Sequence, residues 1–584
     1  MKFLNYIVPL VVLFFVTSLM GSHGMWTLDL GLFGLNEITV AINVTSLANF
    51  FAMLVAFSLL LVTFISGKYN VSRGFYFLLY LLTASMLLIV YAYDYLLFFV
   101  GWEVMSLTTY LLLAYNLTHK ALVKYVVFAI ASAMALLAAI MILYSTGHSF
   151  LYNEVHQSYL ALSSTMSVIV VLLFLFAFFV KLGVIGFHYW LVDSYSQASD
   201  FFTPYLSAVV SKMGIYALMM MLIYVVDISS LPSSWLSYTL AIMGLMTSII
   251  ATFKAVKQDE IKRLLAYSSM AQLGYIVTVL SFADGMSGAL YHSLIHTMVK
   301  LLLFINVAAI AYVTGKNKFS ELGGLLYRMP QSFVLLLIGI IVLAGMPPLG
   351  GFASKYLIYN SLLEHGNLLI LSAMMFSSAS AFLYIYKLIY GIYLGHPTSK
   401  KLETAREVPF AFLLPQYILA TVTVVLGAYP GLLVPSINRI LDELGQTLLP
   451  YSGSAMLNTQ NGGYNGFVVM VAFIAIFAVV LALLLKLKNN KVREAKDRFD
   501  IAYCGEIPNE GTHLHYGYSM GRELGRVGFI STIWKNSSAV FYTFISKQLF
   551  AFAGIFRKLY SGNLSVNFNI AAVFALILLW WSIK

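Results

Sequence analysis

The chain has 584 residues, of which 61% are hydrophobic and only 10% are charged. Because a soluble domain carries about 25% charged residues, this composition excludes a string of soluble domains and indicates a polytopic membrane protein. The formal charge of +11 would also be compatible with nucleic-acid binding. The single cysteine, Cys504, excludes an intrachain disulfide, an iron–sulfur cluster and a cysteine-based zinc site on this chain.

Apolar segments of membrane-spanning length follow one another along the whole chain. A helix needs about 20 apolar residues to cross the hydrocarbon core, so the sequence predicts an all-α polytopic membrane protein with about 15 transmembrane helices. The predicted spans lie near residues 3–20, 44–66, 74–92, 95–117, 121–144, 166–193, 203–226, 236–254, 262–282, 287–313, 332–362, 368–392, 409–431, 465–487 and 567–583.

The first span has some features of a signal peptide, with Lys2 before an apolar run and small residues near Gly21. We predict a retained helix instead, because the rest of the chain is also membrane-embedded. Residues 24–43 alternate weakly between apolar and polar residues, which favours a short hairpin outside the first span.

Charged residues divide the loops into two alternating sets. One set holds nearly all of the loop cations, including Lys68, Lys124 and Arg263, whereas the other holds mainly carboxylates, including Asp284 and Glu364. Loops rich in Lys and Arg stay in the cytoplasm, so we expect a cytoplasmic N-terminus in a prokaryotic cytoplasmic membrane. This orientation accounts for the positive charge without nucleic acid.

The C-terminal region differs from the rest of the chain. Residues 488–535 form the only long polar stretch, a predicted cytoplasmic segment in which Cys504 is an inert thiol. Residues 538–560 have the pattern of an amphipathic helix, which would lie in the membrane interface or else form a loose surface segment. A final transmembrane helix at 567–583 would hold this region at the membrane.

Ionisable residues inside the predicted spans are the strongest functional signal, because a charge at the bilayer centre costs about 3 kcal/mol or more. Lys387 could snorkel to a span end, whereas Glu103 must face protein, water or a cation, since apolar residues surround it. The residues at membrane depth are Glu103, Lys181, Lys212, Lys300, Lys355 and Lys387, together with His188, His292 and His296.

His292, His296 and Lys300 follow one another at intervals of four residues. This spacing puts them on one face of a helix, about 6 Å apart along its axis, and histidine titrates near neutral pH. The line is therefore typical of a proton relay. A metal pair or two hydrogen-bonded core histidines would give the same pattern.

Two long spans are interrupted by glycine or proline. Proline removes a helix hydrogen bond, and broken backbone at membrane depth is tolerated only against protein or a wet cavity. Such breaks in two parts of a transporter indicate its pathway and favour two related bundles, each with a broken helix. The residues that mark the breaks are Gly183, Gly186 and His188 in the first span and Pro347, Pro348, Gly350 and Gly351 in the second.

Motifs between residues 90 and 360 resemble a known superfamily. Gly101-Trp102-Glu103 is similar to the glutamate helix of the antiporter-like subunits of respiratory complex I. The His292 to Lys300 segment and Gly345-Met346-Pro347-Pro348 match further family signatures. The superfamily includes the L, M and N subunits of complex I, the multisubunit sodium/proton antiporters and the membrane subunits of group 4 nickel–iron hydrogenases. In the tail, Arg498-Phe499-Asp500 and Cys504-Gly505-Glu506 look most like the antiporter-like membrane subunit of the energy-converting (Ech) hydrogenases.

The resemblance implies a role for each buried charge. Lys181 would carry protons in a first half-channel with Glu103 as its modulating partner, and Lys355 would serve a second half-channel. The amphipathic helix would brace neighbouring subunits. The central polar axis between the half-channels would consist of Lys212, His292, His296 and Lys300.

Gly186 and Val192 depart from the family pattern, and Lys355 is one of two residue types that the family has at its position. Relatives usually have prolines where Gly186 and Val192 stand here, so we expect a softer first break. Some relatives have a glutamate at the position of Lys355, where this chain keeps lysine.

These features predict a proton-translocating membrane subunit of a redox-driven complex, most like an energy-converting hydrogenase that couples ferredoxin and H2 chemistry to ion pumping. The nickel–iron centre and the iron–sulfur clusters are expected on partner subunits, with no cofactor or metal on this chain. Protons are favoured over Na+, because Glu103 alone offers few oxygen ligands.

Other functions also fit these sequence features. One alternative is a subunit of a multisubunit Na+/H+ antiporter, and another is a subunit of a complex I-type NADH-quinone oxidoreductase. An oxidoreductase with its own active site and a non-conducting scaffold fit the sequence less well. The predicted organisation is 1–92 (N-terminal spans and hairpin), 93–392 (translocating core), 393–487 (C-terminal spans), 488–535 (polar segment) and 536–584 (lateral helix and final span).

Overall fold

The computed structural model describes residues 4–22, 24–29, 39–227, 234–394, 400–487, 522–535 and 537–559. The chain divides into two compact units, Met1–Arg522 and Glu523–Lys584. Among the described residues, 11 helices are long and apolar enough to cross a membrane.

Helices account for nearly all of the described part of the first unit, and they are numbered here in chain order. The first ten are α1 (Leu4–Ser18), α2 (Ser46–Ser66), α3 (Arg73–Tyr91), α4 (Tyr95–Leu113), α5 (His119–Gly147), α6 (Tyr152–Leu160), α7 (Ser164–Leu182), α8 (Leu191–Gln197), α9 (Thr203–Val226) and α10 (Trp235–Lys257). The next nine are α11 (Ile261–Val279), α12 (Met286–Thr314), α13 (Pro330–Ala344), α14 (Gly350–Glu364), α15 (Leu368–Ile392), α16 (Lys400–Glu403), α17 (Phe410–Ala428), α18 (Val434–Glu443) and α19 (Gly466–Leu487).

The predicted spans from 3–20 to 465–487 each coincide with a described helix or with a pair of helices. The two interrupted spans are broken as expected, between α7 and α8 and between α13 and α14. The polytopic all-α fold is therefore confirmed. The last predicted span, 567–583, lies outside the described residues, as do Cys504 and most of the polar segment.

Two short hairpins accompany the helices. Strand β1 (Gly24–Asp29) pairs antiparallel with β2 (Thr39–Val44), with Trp26 opposite Ile42, which confirms the hairpin predicted from the weak alternation. A second hairpin, β3 (Met456–Thr459) and β4 (Gly462–Asn465), precedes α19. No feature of the sequence had predicted this second hairpin.

Several spans begin at a residue whose side chain caps the helix. The side chains of Thr45, Ser72, Asp94, Ser163 and Ser234 each accept a hydrogen bond from the backbone N–H three residues later. A capping oxygen satisfies one of the four N–H groups that a helix start leaves free. These short polar residues therefore set where each span begins.

Glycines bring α10 and α11 into backbone contact. A Cβ on Gly274 would lie 2.6 Å from the carbonyl oxygen of Gly244, and a Cβ on Gly244 would lie 2.7 Å from that of Gly274. Small residues allow such close packing between membrane helices. The contact fixes α11, which presents polar side chains to the buried lysines described below.

The second unit contains two described helices, α20 (Gly528–Trp534) and α21 (Ser537–Leu559). Helix α21 coincides with the predicted amphipathic helix, and Phe544, Leu549 and Phe550 on it are exposed. Its position in the membrane interface stays a prediction.

Candidate functional site

The eight lysine and histidine side chains predicted at membrane depth are each at most 5% exposed; one of them, Lys387, is described separately below, and the other seven make up the candidate site. They are held by hydroxyl groups, carbonyl oxygens and aromatic rings rather than by solvent. The seven are Lys181, His188, Lys212, His292, His296, Lys300 and Lys355.

Lys181 lies in the last turn of α7 and points to α4. Its Nζ donates to Ser106 Oγ at 3.3 Å and lies 5.3 Å from the centre of the Trp102 ring. Glu103 stands between these two contact residues, and its carboxylate attracts the Lys181 ammonium electrostatically. The Oε1 atom of Glu103 is buried and accepts no hydrogen bond. The pairing of Glu103 with Lys181 is thus electrostatic, with Ser106 as the hydrogen-bonding partner.

The first helix break follows directly after Lys181. Gly183 ends α7 in the left-handed conformation, at φ +66°, and a Cβ there would lie 2.5 Å from Leu191. Both conditions require glycine. Trp190 Nε1 donates to the Val180 carbonyl at 2.8 Å, and Thr247 Oγ1 accepts from the Ile185 N–H at 3.0 Å. Side chains therefore replace helix hydrogen bonds that the break removes.

A second glycine bends the backbone of this break. Gly186 adopts φ +93° with open space around it, so the second sharp bend depends on glycine. His188 follows at 3% exposure, with its ring centre 6.4 Å from that of Tyr267 on α11 and its Nδ1 unbonded. His188 therefore belongs to the wall between the break and α11.

The short helix after the break is fixed by ion pairs at the basic end of the bundle. Asp193 on α8 accepts from Lys124 of α5 at 2.5 Å and from Arg263 of α11 at 3.0 Å. Lys262 of α11 pairs with Asp200, just beyond α8, at 2.7 Å. The far side of the first break is thus tied to two neighbouring helices.

Lys212 lies on α9 next to a wide π-turn. Residues Leu206–Val210 form this turn, and Lys212 Nζ donates to the Ser207 carbonyl at 3.0 Å. Ser211 Oγ donates to the same carbonyl at 3.0 Å, and Thr297 Oγ1 donates to the Ala208 carbonyl at 3.2 Å. A π-turn lacks the usual i to i−4 hydrogen bonds, so its carbonyls are free to accept from these side chains.

His292, His296 and Lys300 follow one another along one face of α12. The first and last of them are hydrogen-bonded, whereas His296 between them is not. His292 Nδ1 is 3.0 Å from Ser354 Oγ, and its Nε2 is 3.1 Å from Gln272 Oε1. Lys300 Nζ donates to Ser268 Oγ at 2.6 Å. His296 stacks parallel to His292 with ring centres 6.1 Å apart, and neither of its nitrogens makes a hydrogen bond.

Two serines join the environments of Lys212 and Lys300. Lys300 Nζ donates to the Leu265 carbonyl at 3.2 Å, which also accepts from Ser269 Oγ at 3.0 Å. Ser269 Oγ is 3.1 Å from Ser207 Oγ, and the carbonyl of Ser207 holds Lys212. The two lysines are therefore connected by a buried chain of polar groups across α9, α11 and α12.

Lys355 follows the second break and caps the helix that precedes it. Its Nζ donates to the Ala344 carbonyl at 2.8 Å, to the Leu343 carbonyl at 3.4 Å and to Ser378 Oγ at 2.7 Å. These carbonyls end α13, where a cation is favourable. Gly345, at φ +73°, leaves room for the lysine stem, since a Cβ there would overlap Lys355 Cδ.

The remaining residues of the second break shape its backbone. Met346, Pro347 and Pro348 lie between the helices, and the Pro347–Pro348 peptide bond is cis. Gly350 and Gly351 then open α14. A Cβ on Gly350 would lie 2.8 Å from a side-chain carbon of Ile295, so the break packs closely against the α12 line.

Lys387 has a structural role, because its ammonium caps a helix inside the bundle instead of snorkelling to a span end. It is 3% exposed, and its Nζ donates to the carbonyls of Val256 and Gln258 at 3.1 and 2.7 Å. These groups end α10, so Lys387 caps that helix as Lys355 caps α13.

The structure does not favour a metal at this site. Within the described ranges, no group of three or more His, Cys, Asp and Glu side chains is arranged to hold a metal ion. Both nitrogens of His292 are occupied by Ser354 and Gln272, so none is free to share a metal with His296.

Sequence reasoning missed most of the hydrogen-bonding partners. Ser106 and Gln272 lie 75 and 20 positions away along the chain from Lys181 and His292, the residues that they contact. A scan for serines within spans would have found candidates, although it could not have paired them. The partners that the structure adds are Ser106, Ser207, Ser268, Ser269, Gln272, Ser354 and Ser378.

Comparison with known proteins places this bundle among characterised membrane subunits. The family described as "NADH:quinone oxidoreductase/Mrp antiporter, TM" matches residues 92–381. NADH-quinone oxidoreductase subunit N of Desulfitobacterium hafniense is 29% identical over 412 residues, covering 66% of this chain and 82% of that protein. A Na+/H+ antiporter subunit of Bacillus subtilis is 28% identical over 405 residues, covering 64% of this chain. The similar region covers only 50% of the length of that antiporter protein.

One solved structure resembles nearly the entire chain. It is that of the membrane-bound sulfane sulfur reductase, an archaeal respiratory membrane complex, with a TM-score of 0.87 and 27% identity. The similarity covers 99% of this chain and 95% of the other. The matched family region contains both helix breaks and every buried lysine described above except Lys387. The chain therefore belongs to the antiporter-like membrane subunits of the complex I and Mrp antiporter superfamily.

Proposed function

We propose that this chain moves protons through the cytoplasmic membrane as one subunit of a redox-driven respiratory complex. The observation that carries this proposal is the set of buried lysines and histidines. Lys181 and Lys355 stand at the two helix breaks, and Lys212, His292, His296 and Lys300 lie in the bundle with them. Buried ionisable groups are costly in a membrane, which disfavours a scaffolding role alone.

Glu103 provides the element that would control the first lysine. Its carboxylate is near enough to attract the Lys181 ammonium but is not hydrogen-bonded to it. An opposite charge brought to about 4 Å, the separation of a close ion pair, would contribute about 4 kcal/mol at an effective dielectric of about 20. A change in the Glu103–Lys181 separation would therefore be enough to bind or release a proton at Lys181. Ser106 and Trp102 would hold the lysine in place while its charge changes.

The central groups would pass the proton between the two breaks. The hydroxyls of Ser207 and Ser269 can both donate and accept hydrogen bonds, but Lys212 and Lys300 reach them through backbone carbonyls, which only accept. Transfer between the two lysines would therefore use the serine hydroxyls together with water that bridges each carbonyl. The Ser354 hydroxyl links His292 to α14, the helix that bears Lys355 on its next residue. The basic end of the bundle, with Lys124 and Arg263, would face the cytoplasm by the positive-inside rule.

The share of the chain that a solved structure matches favours a redox-driven complex over an antiporter without redox subunits. Structural similarity to the sulfane sulfur reductase chain extends over 99% of this chain, whereas structural similarity to a solved Mrp complex extends over 75%. The redox reaction itself would lie on partner subunits. The tail motifs at 498–506 favour a nickel–iron hydrogenase, and the full-length likeness favours a sulfur-reducing relative.

Composition of the isolated complex would test the redox assignment. The complex should be purified gently from its native membrane through a tag on this chain, and its proteins and metals should be measured. Nickel together with iron would support a hydrogenase, and iron without nickel would support a different redox complex. A complex that contains only small hydrophobic subunits and no metal would refute the redox proposal and leave the antiporter.

Transport measurements on the same complex would test the role of the lysines. We expect Lys181→Ala to abolish proton transport into liposomes while leaving part of the electron transfer. Lys68→Ala, which removes an exposed loop lysine, is the matched control and should transport normally. Unchanged transport in Lys181→Ala would refute the assignment, and transport that requires Na+ would change the ion.

A further inference from the structure

A polar cluster lies at the end of the bundle opposite to the basic loops. Asp284 stands in the turn before α12, Glu364 is the last residue of α14, and His365 follows it. His365 Nε2 contacts Asp284 Oδ1 in a short hydrogen bond, and the Glu364 side chain is hydrogen-bonded to Asp284. The Phe282 ring stacks on His365 with centres 4.7 Å apart, and Asn461 Nδ2 donates to Glu364 Oε1 at 3.3 Å.

The cluster is built to hold one exchangeable proton. Two hydrogen-bonded carboxyl groups do not both ionise easily, so they share a proton. Partial burial, the hydrogen bond to Asp284 and the negative charge of Asp284 raise the pKa of Glu364 to about 7, while His365 opposes this rise. Glu364 is therefore protonated below about pH 7 and ionised above it.

A small cavity adjoins the cluster. It has a volume of about 40 Å³ and is lined by Asp284, Glu364, Asn360 and Ser361, and by residues 447–450 and 459–460. Those last two segments contribute no titratable side chain. Ser361 is 5% exposed and its Oγ has no hydrogen-bond partner. A polar cavity of this size holds a water molecule, which would satisfy this hydroxyl.

Both helices that meet at the cluster carry groups of the proposed pathway. Glu364 follows Lys355 by nine residues on α14, about 13 Å along the helix. Tyr359 lies between them, with its buried hydroxyl beside Ser378, and Ser378 accepts from Lys355 Nζ at 2.7 Å. The cluster thus lies at the end of the helix that carries the second lysine.

We propose that Asp284, Glu364 and His365 form a proton-exchange site through which the second half of the bundle releases protons to the acidic-loop side of the membrane. This inference rests on the proposed transport function. The Lys355 ammonium gives up one proton, the Glu364 carboxylate gains it, and the resulting carboxyl group returns it to water. No electron moves in these steps.

The charges of Asp284 and His365 act on Glu364 in opposite directions. Replacing each of them should therefore shift the pH at which Glu364 titrates in opposite directions. Asp284→Asn removes the negative charge that holds the proton, so the pH at which Glu364 titrates should fall. His365→Gln removes the group that opposes protonation, so this pH should rise. A purely structural role would not shift the two variants in opposite directions.

The test uses the purified complex in liposomes, driven by its own electron donor or by an imposed Na+ gradient, with proton release followed by a dye. We expect Glu364→Gln to slow transport about tenfold or more and to abolish an inflection near pH 7 that the unmodified complex shows. Asp442→Asn, which removes an exposed carboxylate on the same side, is the control. Infrared spectroscopy should detect a carboxyl group that titrates near neutral pH and is lost in Glu364→Gln.

The outcomes separate this inference from the transport proposal. If Lys355→Ala stops transport while Glu364→Gln behaves like Asp442→Asn, the exchange site is refuted and the transport proposal stands. If Lys355→Ala also transports normally, both are refuted. Absence of a titrating carboxyl, or shifts of Asp284→Asn and His365→Gln in the same direction, would overturn the exchange site independently of transport rates.

Discussion

Replacing Gly345 by alanine should uncouple proton transport by displacing Lys355. Gly345 sits at φ +73°, and a Cβ there would lie 3.0 Å from Lys355 Cε and would overlap Cδ. The left-handed conformation costs an alanine about 1 kcal/mol. The overlap adds a second effect, because Lys355 Nζ is held by Ala344 and Ser378 at 2.8 and 2.7 Å.

The magnitude follows from the contacts that must break. A hydrogen bond to a charged group contributes about 1.5–3 kcal/mol, so losing one of these contacts reduces the population of the native lysine position about 10-fold to 100-fold. We expect proton transport by Gly345→Ala to fall by this factor. In the proposed redox-driven complex, electron transfer should fall much less.

A second glycine gives a matched control. Gly445 has φ +62°, and nothing lies within 4 Å of the position its Cβ would occupy. Gly445→Ala therefore carries the conformational cost without the collision. Proton flux and electron transfer should be measured for both variants in liposomes, with thermal unfolding as a check on folding. Equal transport in the two variants would refute the argument that Gly345 makes room for Lys355.

Three further changes test the surrounding contacts. Ser269→Ala should lower proton flux about tenfold if the serine connection carries protons, with Ser269→Thr restoring it and Ser58→Ala, which removes a hydroxyl bonded only within its own helix, having no effect. Trp190→Phe removes one of the two donors to the Val180 carbonyl, which also accepts from the Gly183 N–H, so unfolding should become easier by about 0.5–1.5 kcal/mol; an unchanged midpoint of thermal unfolding would contradict this. Asp193→Asn should weaken the anchoring of α8 and lower stability by about 1 kcal/mol, more at low salt than at high salt.

The sequence was sufficient where a signal is local. Glycine and proline are unusual inside an apolar span, and the breaks are found at Gly183 and at Pro347–Pro348. The four-residue spacing of His292 and His296 requires only helical geometry, and their rings are indeed stacked on one face of α12. These features depend on neighbours within one turn or two.

The sequence was insufficient where a contact joins distant helices. Lys387 could be read as snorkelling, but its ammonium caps α10, about 130 positions earlier in the chain, through Val256 and Gln258. The pairing of Ser207 with Ser269 likewise depends on how α9 packs on α11. Side-chain partners of this kind follow from tertiary packing, which residue spacing does not encode.

The π-turn of α9 also escaped sequence reasoning, because Leu206–Val210 has the composition of an ordinary apolar helix. A π-turn holds one residue more than an α-helical turn, so it is equivalent to the insertion of one residue into a regular helix. Because the wide turn absorbs its extra residue locally, Lys212 and the later residues of α9 keep nearly the face that they would have in a regular helix. Deleting one residue within the turn would close it to a regular helix and withdraw the Ser207 and Ala208 carbonyls that accept from Lys212 and Thr297, although no side chain of the pathway had been changed. The number of residues in this turn is therefore as important for the site as the identity of Lys212.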